Sequence, residues 1–347
     1  MPLASPVDWS EFRLDTPEGF GLVRPRFFAE FVVEYPTPAT VLGFYQHVLN
    51  ELDESLRFVD TGSGRWSKRS ARTDKYLATW CQNPVFWPKK NYCLIMQDVD
   101  QGIGDTELTV YYAARERTPP DPVWFQKIVE SDIRPPVYSS RLIVSFPVDH
   151  PLVTSLRVVD WVADASALHD ASFISGAAGY AVDVPLNPPD PRQGPAARAR
   201  GGALLQRHPG LTCVSHLPVG TELLKWDREY VLSKGAAIPR PYVKRANWIT
   251  MLNVAQVEIL GGLDALRAML GVMPGISIER RGAAFIVRAG ERPQLGDISL
   301  DNIPAEYRVA TRAIKDFTLP MRDIRPELGQ AFDEYGFQVW YDALAKP

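Results

Sequence analysis

Residues 58–66 read FVDTGSGRW. An apolar pair followed by Asp-Thr-Gly-Ser is how an aspartic protease presents a catalytic carboxylate, so Asp60 is the first residue to test. That chemistry needs two carboxylates close enough to share one proton. No second Asp-Thr-Gly or Asp-Ser-Gly occurs in the 347 residues, and half-site proteases that complete themselves by dimerising are far shorter. The same residues suit a hairpin bend, because Gly accepts positive φ and Asp bonds the backbone two residues on. The stretch reads as a turn.

QDVDQGIGDTE (97–107) resembles a calcium loop at first sight, with Asp98 and Asp100 two apart. An EF-hand needs an oxygen ligand at its fifth place, Gly at its sixth and Glu at its twelfth. Those places hold Gly102, Ile103 and Thr109. What remains is an acidic surface loop whose carboxylates could meet a basic partner. The five histidines form no HExxH motif and none lies four residues from another His or a Cys. His169-Asp170 has the form of a general base with an orienting carboxylate, the basis of a hydrolase alternative, but no activated nucleophile accompanies it. Pro189-Asp190 with Glu222 and Lys225 has Glu-x-x-Lys spacing, where a nuclease strand requires Glu-x-Lys. There is no GxSxG elbow and no phosphate-binding loop. The chain is expected to be a binding protein and not an enzyme, with no cofactor and no metal. The low-charge candidates for partner contact are Trp340 and Tyr341 near the C-terminus, as aromatic anchors.

The elements that would position these residues follow one pattern three times: strand, proline or polar break, helix, then a hairpin or further strand. The first copy has a strand at 27–35, Thr37-Pro38 as cap and first helical position, and a helix to about Glu54 burying Val41, Phe44, Tyr45, Val48 and Leu52. The second has a strand at 141–151, a helix from about Leu152 to Ala163, and a strand in which Gly176 and Gly179 signal a bulge or close backbone approach. The third has a strand at 247–252, a helix broken by Gly261-Gly262, and a hairpin turning at Arg280 to Gly282. Strand–helix–hairpin units without steady βαβ alternation predict an α+β fold with mainly antiparallel sheet and helices packed against it. The division expected is 20–183, a Pro-rich linker at 184–202, and 203–347, with the two parts able to pack as one unit. A short docking helix and tail are expected from Arg325 on.

With 38 basic and 41 acidic residues the net charge is −3, which gives no general support to nucleic-acid binding and favours a basic partner. The short basic runs at 197–200 and 278–288 carry no aromatic ladder. Three cysteines without metal or disulfide spacing read as reduced thiols. No basic start with an apolar run marks a signal peptide, and no stretch of ~18 apolar residues suggests a membrane span. A cytoplasmic location is expected.

From the second copy onward the chain resembles a known family. LIVSFP, SGAAGYA, NWITMLNVAQVEILGGLDALRAMLG, GAAFIVRAGERPQLGD and IPAEYRVA carry the resemblance, over roughly residues 140–320. Together they are similar to the type VI secretion immunity proteins. The resemblance implies an antidote that binds and neutralises a cognate antibacterial effector, often a nuclease toxin of restriction-endonuclease type. It implies a partner protein, no direct nucleic acid and no membrane, and leaves a homodimer possible. An adaptor of the secretion machinery is the alternative. No residue-level binding motif travels with the family. Asp98, Asp100, Asp105 and Glu107 are expected to mimic phosphate charge if the toxin's cleft is covered.

Overall fold

The computed structural model describes residues 7–34, 36–62, 65–87, 89–90, 92–112, 139–169, 173–183, 191–213, 243, 245–315, 318, 340 and 342–344. Its centre is β2 (Gly21–Glu34), a strand that starts six residues before the predicted one. Pro25 is tolerated there because β8 alone flanks it in register; the ladder to β7 begins at Arg26. Along β2 alternate residues diverge. Phe27, Ala29, Phe31 and Val33 enter the large apolar core, while Arg24, Arg26 and Glu30 belong to the other set.

The remaining strands are β1 (Leu14–Asp15), β3 (Phe58–Asp60), β4 (Ser67–Lys68), β5 (Tyr92–Gln97), β6 (Glu107–Tyr112), β7 (Ser139–Pro147), β8 (Phe173–Asp183), β9 (Thr212–Cys213), β10 (Ile249–Asn253), β11 (Ile276–Arg281) and β12 (Ala284–Ala289). Among the described residues they form one sheet in the order β11-β12-β10-β8-β2-β7-β6-β5-β3-β4, with β1 on β2 and β9 on β8. Only β8–β9 is parallel among these pairings. The fold is α+β with mainly antiparallel sheet, as expected. The ladder between β8 and β10 joins the parts 20–183 and 203–347 in that one sheet.

The first predicted helix is α1 (Pro38–Leu52), capped by Thr37, whose hydroxyl accepts from the Thr40 amide at 3.2 Å. It buries the five residues expected of it. A short α2 (Tyr76–Gln82) packs beside it and buries Leu77, Trp80 and Cys81. The second predicted helix is broken into α3 (Pro151–Thr154) and α4 (Val158–Ala167), with Leu156 at φ 63 between them. In the third, Gly261 and Gly262 sit at φ +92 and +91 and divide α6 (Val254–Ile259) from α7 (Leu263–Leu270). The β11–β12 hairpin turns at Gly282, one residue from the middle of the expected bend. The three units occupy different places in the sheet: β10 pairs with its own hairpin, whereas β7 and β8 lie on opposite sides of β2.

Residues 194–202, expected to be linker, form most of α5 (Gly194–Arg207). Proline in the first turn costs no hydrogen bond, and buried Ala197, Gly201 and Gly202 let the helix approach β2 and β8 closely. Ala197, Leu204 and Leu205 join Leu22, Val32, Ile174, Val182 and Trp340 in a second apolar cluster. α8 (Ala305–Ile314) completes the larger core through Tyr307, Ala310 and Ile314. No described helix is long and apolar enough to cross a membrane.

Candidate functional site

The acidic loop joins β5 to β6 and is seated by backbone contacts on the start of β2. The Ile103 amide donates to the Gly21 carbonyl at 3.1 Å. A Cβ at Gly21 would lie 2.2 Å from the Ile103 oxygen, and one at Gly104 would lie 1.8 Å from Asp98 Oδ1. Gly102 turns the chain at φ +71. These three glycines allow loop, strand and carboxylate to occupy almost the same space. Arg57 ties the loop from the β3 side, donating from Nη2 to the Asp98 carbonyl at 2.6 Å.

Beneath the loop stands Arg26, 0% exposed. Its Nε donates to the Gly104 carbonyl at 3.0 Å and Nη2 bonds the same oxygen. Its Nη1 donates to Ser145 Oγ at 2.9 Å and Asp183 Oδ2 at 2.8 Å, with Glu107 Oε2 at 3.5 Å. One guanidinium thus joins the loop to β6, β7 and the end of β8. Burial of such a group is sustained only by this many partners. A second buried pair, Glu30–Arg141, spans β2 and β7, with Arg141 Nε donating at 2.5 Å.

The predicted contact residues separate here. Asp100 is exposed. Asp98 is half-buried; burial pushes its carboxyl above the usual value, against the pull of the Thr106 and Asp105 amides. Asp105 lies 3.5 Å from both Arg13 and Arg24. Glu107 is not a surface charge: at 5% exposure it balances Arg26 inside the fold. The loop and the start of β2 frame a recess of about 400 Å³, whose lining includes Glu18, Asp98, Asp100 and Asp105 against Arg24 and Arg57. The recess is net acidic.

Trp340 is likewise no exposed anchor. It is 2% exposed, its indole N–H donates to the Leu211 carbonyl at 3.1 Å, and the Arg245 guanidinium stacks 4.2 Å from its ring. Tyr341 lies outside the described residues, as do Asp170, Glu222, Lys225 and the stretch 321–339. His169 is buried against Phe31, Phe44 and Phe173, and burial pushes its pKa down to about 4. Among the described residues the ring is enclosed by these phenylalanines and is 1% exposed. His47 stacks on Trp161 at 4.7 Å. Asp60 ends β3, and Gly62 at φ +85 follows in the bend toward β4, so the protease-like motif is a hairpin segment. Among the described residues no cluster of His, Cys, Asp and Glu could hold a metal ion.

Arg26, Asp183, Arg57 and Gly104 were missed from the sequence. The available signal was Arg24 and Arg26 two apart in an otherwise apolar strand, with Glu30 following on the same face.

What the geometry offers is a preformed, net acidic recess held by backbone contacts to the start of β2. The family model for type VI immunity against VRR-NUC, TsiV, matches residues 44–341. The chain belongs to the TsiV family of type VI immunity proteins, directed at a nuclease effector. A Pseudomonas aeruginosa type VI secretion protein, PA0821, has a similar fold: TM-score 0.64 at 17% identity, over 97% of this chain and 92% of that one. No curated protein matches the chain.

Proposed function

We propose that this protein acts in the cytoplasm, binds a VRR-NUC-type nuclease effector directly, and neutralises it by presenting the 98–105 loop to the effector's DNA-binding surface. The observation that carries this reading is the rigid seating of an acidic recess on the scaffold of a nuclease-immunity family. A nuclease cleft must attract phosphate, so it is basic, and complementary charge steers association and fixes orientation. Asp100 is the exposed carboxylate of the loop and Asp98 backs it; the partly paired Asp105 adds to the field. Arg26 and Glu107 hold the loop from within and are support, not contact. Because the loop is already fixed by Gly21, Gly102 and Gly104, little ordering entropy is lost on binding.

The test is to mix the purified protein with the product of the adjacent reading frame, assayed as a VRR-NUC-type nuclease. Size exclusion with light scattering should show a stoichiometric complex, and plasmid cleavage by the nuclease should stop. A complex that forms while cleavage continues would exclude occlusion of the cleft. Absence of any complex would return weight to an adaptor role.

A further inference from the structure

β5 runs from the acidic loop to a second recess of opposite character. Residues Tyr92 and Asp98, six apart, border the two, which places them about 20 Å apart along the strand. The neighbouring β3 makes the same connection, with Phe58 at the first recess and Thr61 at the second. The second is an open groove of about 750 Å³ lined by Tyr76, Trp80, Phe86 and Tyr92, with Arg72 and Lys75 at its rim and no carboxylate among its described lining residues. Trp80 stacks on Tyr92 at 4.7 Å and meets Trp87 and Tyr112 edge-on at 5.1 and 5.0 Å, so the floor is a fixed aromatic block. The Tyr92 hydroxyl is buried without a hydrogen-bond partner. Arg72 and Lys75 are exposed, and neither has a carboxylate partner among the described residues. Lys90 lies 5.1 Å over the Phe86 ring, and Val85 beside it is 62% exposed.

We propose that this groove is a second docking point for the same nuclease effector, accepting an apolar side chain flanked by a carboxylate. The inference rests on the effector-binding reading above and adds to it the chemistry of the far end of the interface. Charge complementarity selects the occupant: unpaired cations around an apolar floor match an acidic-apolar segment. Interface energy concentrates where an apolar anchor fills a desolvated pocket, and flanking charges contribute orientation. A polyanion is disfavoured, because among the described lining residues only Arg72 and Lys75 are cationic. Trp80 is only 8% exposed and offers no ring face for a base to stack on. Two points about 20 Å apart fit the patch of ~800 Å² that each partner of a standard interface contributes.

The test measures affinity for the catalytically inactive form of the neighbouring-frame nuclease at two salt concentrations. Thr79→Trp fills the groove from an exposed helical position, and Arg72→Glu with Lys75→Glu reverses its rim. Thr79→Trp should weaken binding by roughly tenfold to a hundredfold at both salt concentrations. The rim reversal should weaken it most at low salt. Unchanged circular dichroism and melting temperature confirm that each variant folds. Wild-type affinity in both groove variants, with Asp100→Lys weakened, would overturn the groove and leave the effector reading standing. A wild-type protein that does not bind the nuclease at all would remove both. Loss of a homodimer in Thr79→Trp, or loss of binding to a fluorescent single-stranded oligonucleotide with nuclease affinity intact, would assign the groove to another occupant and overturn the proposal.

Discussion

The two sets of side chains on β2 are equally buried and built on opposite principles. Phe27, Ala29, Phe31 and Val33 meet helices and strands mainly through apolar surface, where near misses in packing cost increments of contact. Arg26 and Glu30 meet neighbours through a few directed bonds, where losing one partner leaves a buried charge uncompensated. The apolar set stabilises by area and tolerates some variation in shape. The ionic set contributes little net stability but fixes which residue of β6, β7 and β8 stands where, and it holds the acidic loop through the Gly104 carbonyl. Core packing and the seating of the acidic loop are thus supported by different faces of one strand.

The comparison can be broken at its strongest point first. Phe31→Ala should cost about 3–5 kcal/mol in chemical denaturation, as for other buried phenylalanines, and leave binding by the still-folded protein unchanged. Arg26→Ala should cost a similar 3–5 kcal/mol by removing the cation that balances Asp183 and Glu107, but it should also weaken nuclease binding because the loop loses its tie. Replacing Arg26 with Met, Asp183 with Leu and Glu107 with Gln together should recover much of the stability and not the affinity. If affinity returned as well, the ionic set would not be positioning the loop.

A pH titration sharpens the contrast, since His169 is a titratable group packed on the apolar set. Its folded pKa, about 4, lies below the ordinary value near 6.5, so the unfolded chain binds the proton more readily. Its stabilising contribution is complete above pH 6.5 and is lost as pH falls toward 4, by up to about 3 kcal/mol. His169→Phe should flatten that part of the stability profile; an unchanged slope would place the dependence elsewhere. Asp297 acts lower: burial opposes its charge, but bonds from Arg207 and Ser299 outweigh it and hold the pKa at about 2, so its contribution fades as pH falls from 3.8 to 2. The smallest effect on stability is expected at the surface. Asp100→Lys should leave the melting temperature within experimental error and weaken effector binding several-fold at low salt, less at high salt. Equal affinity at low salt would remove Asp100 from the interface.

Much of the fold was legible because it depends on local periodicity. The stripe of α1, its Thr37-Pro38 start, the Gly261-Gly262 break and the β11–β12 turn each follow from spacing, capping or φ preference within a few residues. The α5 helix was not legible, because Gly-Pro-Ala-Ala composition also describes a linker and only its close fit on β2 and β8 selects helix. Glu107 and Trp340 carried the right residue types for a surface and are buried. Their exposure depends on Arg26 and Leu211, far away in sequence, which local patterning cannot supply.

By itself the sequence determined the α+β class, the exclusion of the protease and calcium motifs, and the resemblance to immunity proteins, since each rests on residues adjacent or regularly spaced. The tertiary structure alone decided which carboxylates of the loop remain exposed. Ordering β2 beside β7 and β8 brings Arg26 under the loop, consumes the charge of Glu107 inside the fold, and leaves Asp100 exposed. Burial and charge pairing are properties of neighbours in space, and a chain acquires those neighbours only when the sheet closes around them.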